Sequence, residues 1–225
     1  MRIKAEADRL LAMIREGRTM SAGQKVRLAV MLSVPAVVAQ LSSIVMQYID
    51  ASMVGSLGAE ASAAIGLVST TTWLFGGLLS AAASGFSVQV AHRIGAGDWE
   101  GAQRVLRQSV VAVLAFSLLL ASIGAGISSS LPVWLGGAES IHRDASTYFL
   151  IISLFLPALQ MQFLAGGMLR CSGNMHVPSM AGVAMCALDV VFNFLLIFPS
   201  RTVAVAGFDV FLPGAGLGVE GAALG

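Results

Sequence analysis

Residues 42–58 read SSIVMQYIDASMVGSLG, and one carboxylate, Asp50, stands in a run that is otherwise soluble in lipid. Followed upstream to about residue 26, the run is long enough for a helix to cross hydrocarbon, which takes roughly 20 apolar residues over about 30 Å. A charge at such a depth costs about 2.5–3.5 kcal/mol even on the most lenient scale. Asp50 therefore needs a reason to be there, and the rest of the chain has to supply it.

The whole sequence shares the character of that run. Of its 225 residues, 56% are hydrophobic and 11% are charged, with a mean hydropathy of +0.83. Soluble domains carry about a quarter charged residues, so the composition is that of an all-α polytopic membrane protein. The net charge of +1 gives no electrostatic reason to expect a nucleic acid partner. Cys171 and Cys186 fall in or beside apolar segments and read as small hydrophobes rather than a disulfide or metal pair.

Five full spans are expected, at about 26–53, 61–92, 102–127, 145–169 and 177–199, with a sixth starting about 217. The turns between them carry the residues that break helices: GSLGAE, GAGDWEGA, LGGAES, CSGN and PSRT. GAGD at 95–98 reads as a tight turn rather than a dinucleotide loop, since it joins two hydrophobic helices. Residues 1–27 form a charged N-terminal segment without an apolar leader-like stretch. Within it, residues 3–16 read either as a surface helix laying Ile3, Leu10, Leu11 and Ile14 on the membrane or as a frayed tail.

The basic residues give an orientation. Arg2, Lys4, Arg9, Arg15, Arg18, Lys25 and Arg27 precede the first span, Arg93, Arg104 and Arg107 border the second connection, and Arg170 lies in the fourth. If the helices alternate, these eleven share one side and only Arg143 and Arg201 fall on the other. The excess places the N-terminus in the cytoplasm.

Asp50 belongs to a polar stripe. At 100° per residue, Gln40, Ser43, Gln47 and Asp50 fall within an arc of about 80°, with Pro35 able to bend the helix upstream. The fifth span repeats the device, since Asp189 and Asn193 are four residues apart and share a face that Gly182, Met185 and Cys186 continue. Gln40, Ser43 and Thr70–Thr72 read best as interhelical hydrogen-bonding groups. The two carboxylates read differently, because none of the five apolar cores contains a Lys or Arg to pair them. Each must carry a proton or face a hydrated cavity where a cation comes and goes. Glycine pairs at 76–77 and 166–167 are expected to let helices approach closely. His92, His142 and His176 sit at span ends without ligand spacing, and no hydrolytic or nucleotide-binding motif is present, so neither a metal enzyme nor ATP drive is expected.

Three motifs in order resemble the N-terminal half of the multidrug and toxic compound extrusion (MATE) transporters. They are PAVVAQLSSIVMQYIDASMVGSLGAEASAAIGL, then VAHRIGAGDWEGA, then LRCSGNMHVP followed by LDVVFNFLLIF and LGVEGAAL. Together they span nearly all of the chain from residue 30 onward. The resemblance implies that residues 28–225 form the N-terminal lobe, less most of its sixth helix, of a transporter about twice this length. It implies alternating access between two lobes, a missing C-terminal lobe or a second copy as partner, and a place in a bacterial inner membrane. It implies an antiporter that exports lipophilic organic cations in exchange for Na⁺ or H⁺, with no other cofactor. Asp50 matches the family's coupling-ion carboxylate and would ligate Na⁺ if Na⁺ is the coupling ion, with Asp189 and Asn193 completing the site. Gln40, Ser43, Gln47 and Met185 are expected in the substrate cavity.

Two departures stand out. The family's usual order on the fifth helix is Asn, then Asp one turn later, and here it is Asp189, then Asn193. Its Arg-Gly-x-Gly-Asp turn reads Arg170, Cys171, Ser172, Gly173, Asn174. A lipid-linked saccharide flippase of the same superfamily would share the architecture but want a cationic cavity, and a non-transporting scaffold would have no use for Asp50.

Overall fold

The computed structural model describes residues 9, 10, 12–14, 16–205 and 208–225, and the side chains of 35, 36, 39, 201–205 and 208–213 fall outside the description. The expected packing of Ile3 and Leu11 therefore concerns residues outside those described. The described chain is helical apart from one β-hairpin: α1 (Ala22–Gly55), α2 (Ala59–Gly95), α3 (Trp99–Ile127), a short α4 (Leu131–Trp134), a 3₁₀ turn (Glu139–Ile141), α5 (His142–Cys171), α6 (His176–Ile197), β1 (Pro199–Val205), β2 (Phe208–Ala215) and α7 (Val219–Leu224).

Among the described residues, four helical segments are long and apolar enough to cross a membrane: α2, α3, the 3₁₀ turn with α5, and α6. At 1.5 Å per residue, the 34 residues of α1 reach about 50 Å, well beyond the hydrocarbon thickness.

Local chemistry sets the helix ends. α1 starts on a capping box, in which the Ser21 hydroxyl accepts from Gln24 N at 3.3 Å and Gln24 Oε1 accepts from Ser21 N at 2.9 Å. α2 ends in a tight turn at Gly97, whose φ of 75° suits glycine. Asp98 then caps α3 by accepting from Gly101 N at 2.8 Å and pairs with Arg93 at 2.8 Å. Those two interactions, the Gly101 amide first, hold the Asp98 carboxyl below its ordinary pKa. Asn174 accepts from Val177 N at 3.2 Å at the start of α6.

α5 packs against α2 and α3, and this trio holds the main core: Val68, Phe75 and Leu79 from α2, Leu120 and Ala121 from α3, Phe149 and Leu156 from α5. Phe75 and Phe149 meet with ring centroids 5.8 Å apart. α1 and α6 form a second pair beside the trio, and α7 packs against both α5 and α6. Close approach within the trio occurs at Gly124, where a Cβ would strike Ser153 and Phe75, and at Gly167, where it would strike Ser87. The expected contact at Gly76 and Gly77 is corrected, because nothing lies within 4 Å of a Cβ at either, and Gly166 meets only Arg170 of its own helix.

Two features escaped the sequence reading. Pro199–Val205, whose start was read only as the turn PSRT, and Phe208–Ala215 pair as antiparallel strands in which Arg201 pairs with Leu212 and Val205 with Phe208. Valine and phenylalanine are common in this stretch, and such side chains favour an extended backbone. Gln160 of α5 is fully buried, and neither of its amide atoms has a partner among the described residues.

Candidate functional site

Asp50 comes from the last two turns of α1, while Asp189 and Asn193 occupy successive turns of α6. Pairing of α1 with α6 brings the three together. Asn193 Nδ2 donates to Asp50 Oδ1 at 2.9 Å and to Asp189 Oδ2 at 3.2 Å. The carboxylates are half-buried, whereas Asn193 is 4% exposed and is one of only two buried residues described on α6, with Ile197.

A single amide thus holds two acidic groups together where α1 and α6 meet. Among the described residues no Lys or Arg forms an ion pair with either carboxylate. Asn193 Oδ1 is buried without a hydrogen-bond donor among them. It lies against Gly225, where any Cβ would collide with the amide. The shared amide brings Asp50 and Asp189, 139 positions apart in sequence, within reach of one group. Tyr148 of α5 packs against the main core.

A groove of about 520 Å³ opens between α1, α5 and α6, lined by Gln40, Ser43, Gln162, Phe163, Met175 and Met185. Gln162 Nε2 donates to Met185 Sδ at 3.3 Å across it. Three of the four expected cavity residues, Gln40, Ser43 and Met185, line this groove, while Gln47 is exposed and does not. Gly182 lines the same groove, but Cys186 lines a different and almost wholly apolar one of about 370 Å³, with Val38, Leu41 and Val183. Arg170 also borders the larger groove. The sequence reading placed it in a turn, and the last turn of α5 carries it to the rim. Both cysteines are free, and the described residues hold no cluster of three or more His, Cys, Asp or Glu suited to a metal.

Comparison with known proteins gives this arrangement a context. The MatE family model matches residues 35–195. The probable multidrug resistance protein NorM of Agrobacterium fabrum (strain C58) is 29% identical over 175 residues, covering 74% of this chain and 36% of that protein. A MATE protein crystallised in the straight conformation is 25% identical with a TM-score of 0.76, covering 88% of this chain and 41% of the other. A MOP-superfamily transporter from Pyrococcus furiosus, described as having a binding pocket of reverse polarity, is 25% identical with a TM-score of 0.71, covering 86% of this chain and 39% of the other. The chain spans well under half the length of each of these relatives.

Proposed function

This chain belongs to the MatE family, and from that premise we propose that it is the N-terminal lobe of a secondary active antiporter exporting organic cations in exchange for Na⁺ or H⁺. The single observation that carries this reading is the Asp50–Asn193–Asp189 cluster, two acids bridged by one amide with no basic ion-pair partner among the described residues. In a low-dielectric setting two adjacent carboxylates do not both remain ionised without a counter-cation. A proton on one of them, or a Na⁺ held by both, relieves the repulsion. Carboxylate oxygens and the unpartnered Asn193 Oδ1 are hard donors, the kind an alkali cation takes. Loading and release of that cation would change the net charge of the α1–α6 pair, giving a gradient a handle on the conformation.

The groove between α1, α5 and α6 suits the substrate. Its amides, thioethers and Phe163 can adapt to varied apolar cations. The asymmetry of basic residues supports a cytoplasmic N-terminus, and the likeness to a bacterial protein supports a place in a bacterial inner membrane. Rocking of this lobe against a second one would provide alternating access.

A second reading has one observation in its favour. Arg170 on the groove rim supplies a positive charge that an anionic lipid-linked saccharide would use. The two carboxylates above the groove weigh against it.

The test uses the full-length protein in liposomes loaded with a fluorescent lipophilic cation, under a Na⁺ gradient and a pH gradient in turn. Gradient-driven movement that vanishes in Asp50→Asn is expected and identifies the ion. Undiminished movement in that variant would remove Asp50 from coupling, and no movement under either gradient would turn the test to lipid-linked saccharides.

A further inference from the structure

The N-terminal segment does more than precede the first long helix. Residues 9, 10 and 12–14 are helical, and the helix is ended by Gly17, which adopts a φ of 67°. Gly17 N donates to Ile14 O at 3.0 Å and Arg18 N to Met13 O at 3.0 Å, the paired bonds of a glycine-terminated helix. The Ser21 capping box starts α1 only four residues later, so the segment folds back on the beginning of α1. Leu10 and Leu28 are both buried in that contact, with Met13, Met20, Met31 and Leu32 around them. Leu10, which the sequence suggested would lie on the membrane, is instead buried against protein, and Ile14 remains exposed.

The fold-back creates a groove of about 450 Å³ lined by Arg9, Met13, Glu16, Arg18, Gln24 and Arg27. With Leu10 and Ala12 the lining comes to eight residues, of which three carry guanidinium groups and one is acidic. Glu16 pairs with Arg18 at 3.0 Å. Gln24 commits its Oε1 to Ser21 N, which leaves its Nε2 as a donor. The lining is therefore rich in donors, and the forked geometry of arginine matches phosphate oxygens in pairs. The position narrows the source of the phosphate. Arg27 immediately precedes the long apolar run of α1, which favours a membrane lipid over a soluble phosphate as its source.

We propose that this groove binds the phosphate-bearing headgroup of an anionic membrane phospholipid. The headgroup would bridge the N-terminal segment to the start of α1, so that lipid composition sets how firmly the segment is docked. The proposal is independent of the transport reading, since it concerns neither Asp50 nor the groove beside it.

The experiment takes the full-length protein, delipidated in detergent, and follows thermal unfolding while phosphatidylglycerol or phosphatidylcholine is added. Wild type is expected to respond to phosphatidylglycerol at concentrations about tenfold or more below those needed for phosphatidylcholine. Arg9→Gln/Arg18→Gln/Arg27→Gln should lose that preference, and Arg104→Gln/Arg107→Gln, basic residues outside the groove, should keep it. If the triple variant fails to fold, Arg18→Gln alone, whose side chain is 70% exposed in the native state, provides the same comparison. A preference that survives removal of the arginines overturns the proposal. An equal loss in the Arg104/Arg107 control also overturns it, by showing diffuse attraction rather than a site. Glycerol 1-phosphate is added as a competitor, and abolition of the lipid response at matched concentration would replace the lipid with a soluble phosphate as the ligand.

Discussion

Asn193 donates a 2.9 Å hydrogen bond to Asp50 across 143 residues of chain, and this bond ties α6 to α1. The same amide nitrogen reaches Asp189 at 3.2 Å. Its consequence is that the three residues should respond to substitution as a unit rather than independently.

Asp189→Asn should reduce coupled efflux less than Asp50→Asn, because Asn193 retains its link to Asp50. Asn193→Ala should be at least as damaging as Asp50→Asn, since it releases both carboxylates. Initial efflux rates of the three variants in liposomes order these effects. Full activity in Asn193→Ala would reduce the bridge to helix packing.

Gln160→Leu should stabilise the fold by about 1–3 kcal/mol, because it replaces a buried amide without partners among the described residues with an apolar group of similar size. Unfolding in mixed detergent micelles measures it. Destabilisation would mean that the amide is satisfied in the native protein.

Glycine substitutions should divide by position. Gly124→Ala places a methyl group against Ser153 and Phe75 and should cost about 1–3 kcal/mol. Gly77→Ala enters open space within a helix and should be neutral or stabilise by up to about 1 kcal/mol. The same unfolding assay compares them.

The turn at Asp98 should loosen in acid. Its folded-state pKa is depressed, so its contribution is present above the ordinary carboxylate pKa and is lost as pH falls through the lowered one. Hydrogen exchange at Gly101 should accelerate over that range in wild type. Asp98→Asn should remove the pH dependence, and an unchanged profile would show that the carboxyl does not govern the turn.

The long helices were legible because their signal is local. Apolar runs and turn residues declare themselves within a window of about 20 positions, and the Asp189–Asn193 pair follows from helical spacing alone. The hairpin at 199–215 was less legible, because short β-branched and aromatic runs read poorly beside much stronger helical segments. Glycine contacts were read with mixed success. Gly167 meets Ser87 whereas Gly76 and Gly77 meet nothing, since a glycine specifies that approach is allowed and not which neighbour uses it.

The sequence by itself determined that the chain is a helical membrane protein, that it resembles one transporter family, and that Asp50 and Asp189 demand compensation. Those conclusions rest on composition, periodicity and the cost of charge in hydrocarbon, all of which act residue by residue. Only the tertiary structure decided that one amide serves both carboxylates and that Arg170 borders the groove. It also buried Leu10 on α1 instead of leaving it to lipid. The physical reason is that periodicity assigns a residue to a face of its own helix, while the packing of one helix on another decides what that face meets.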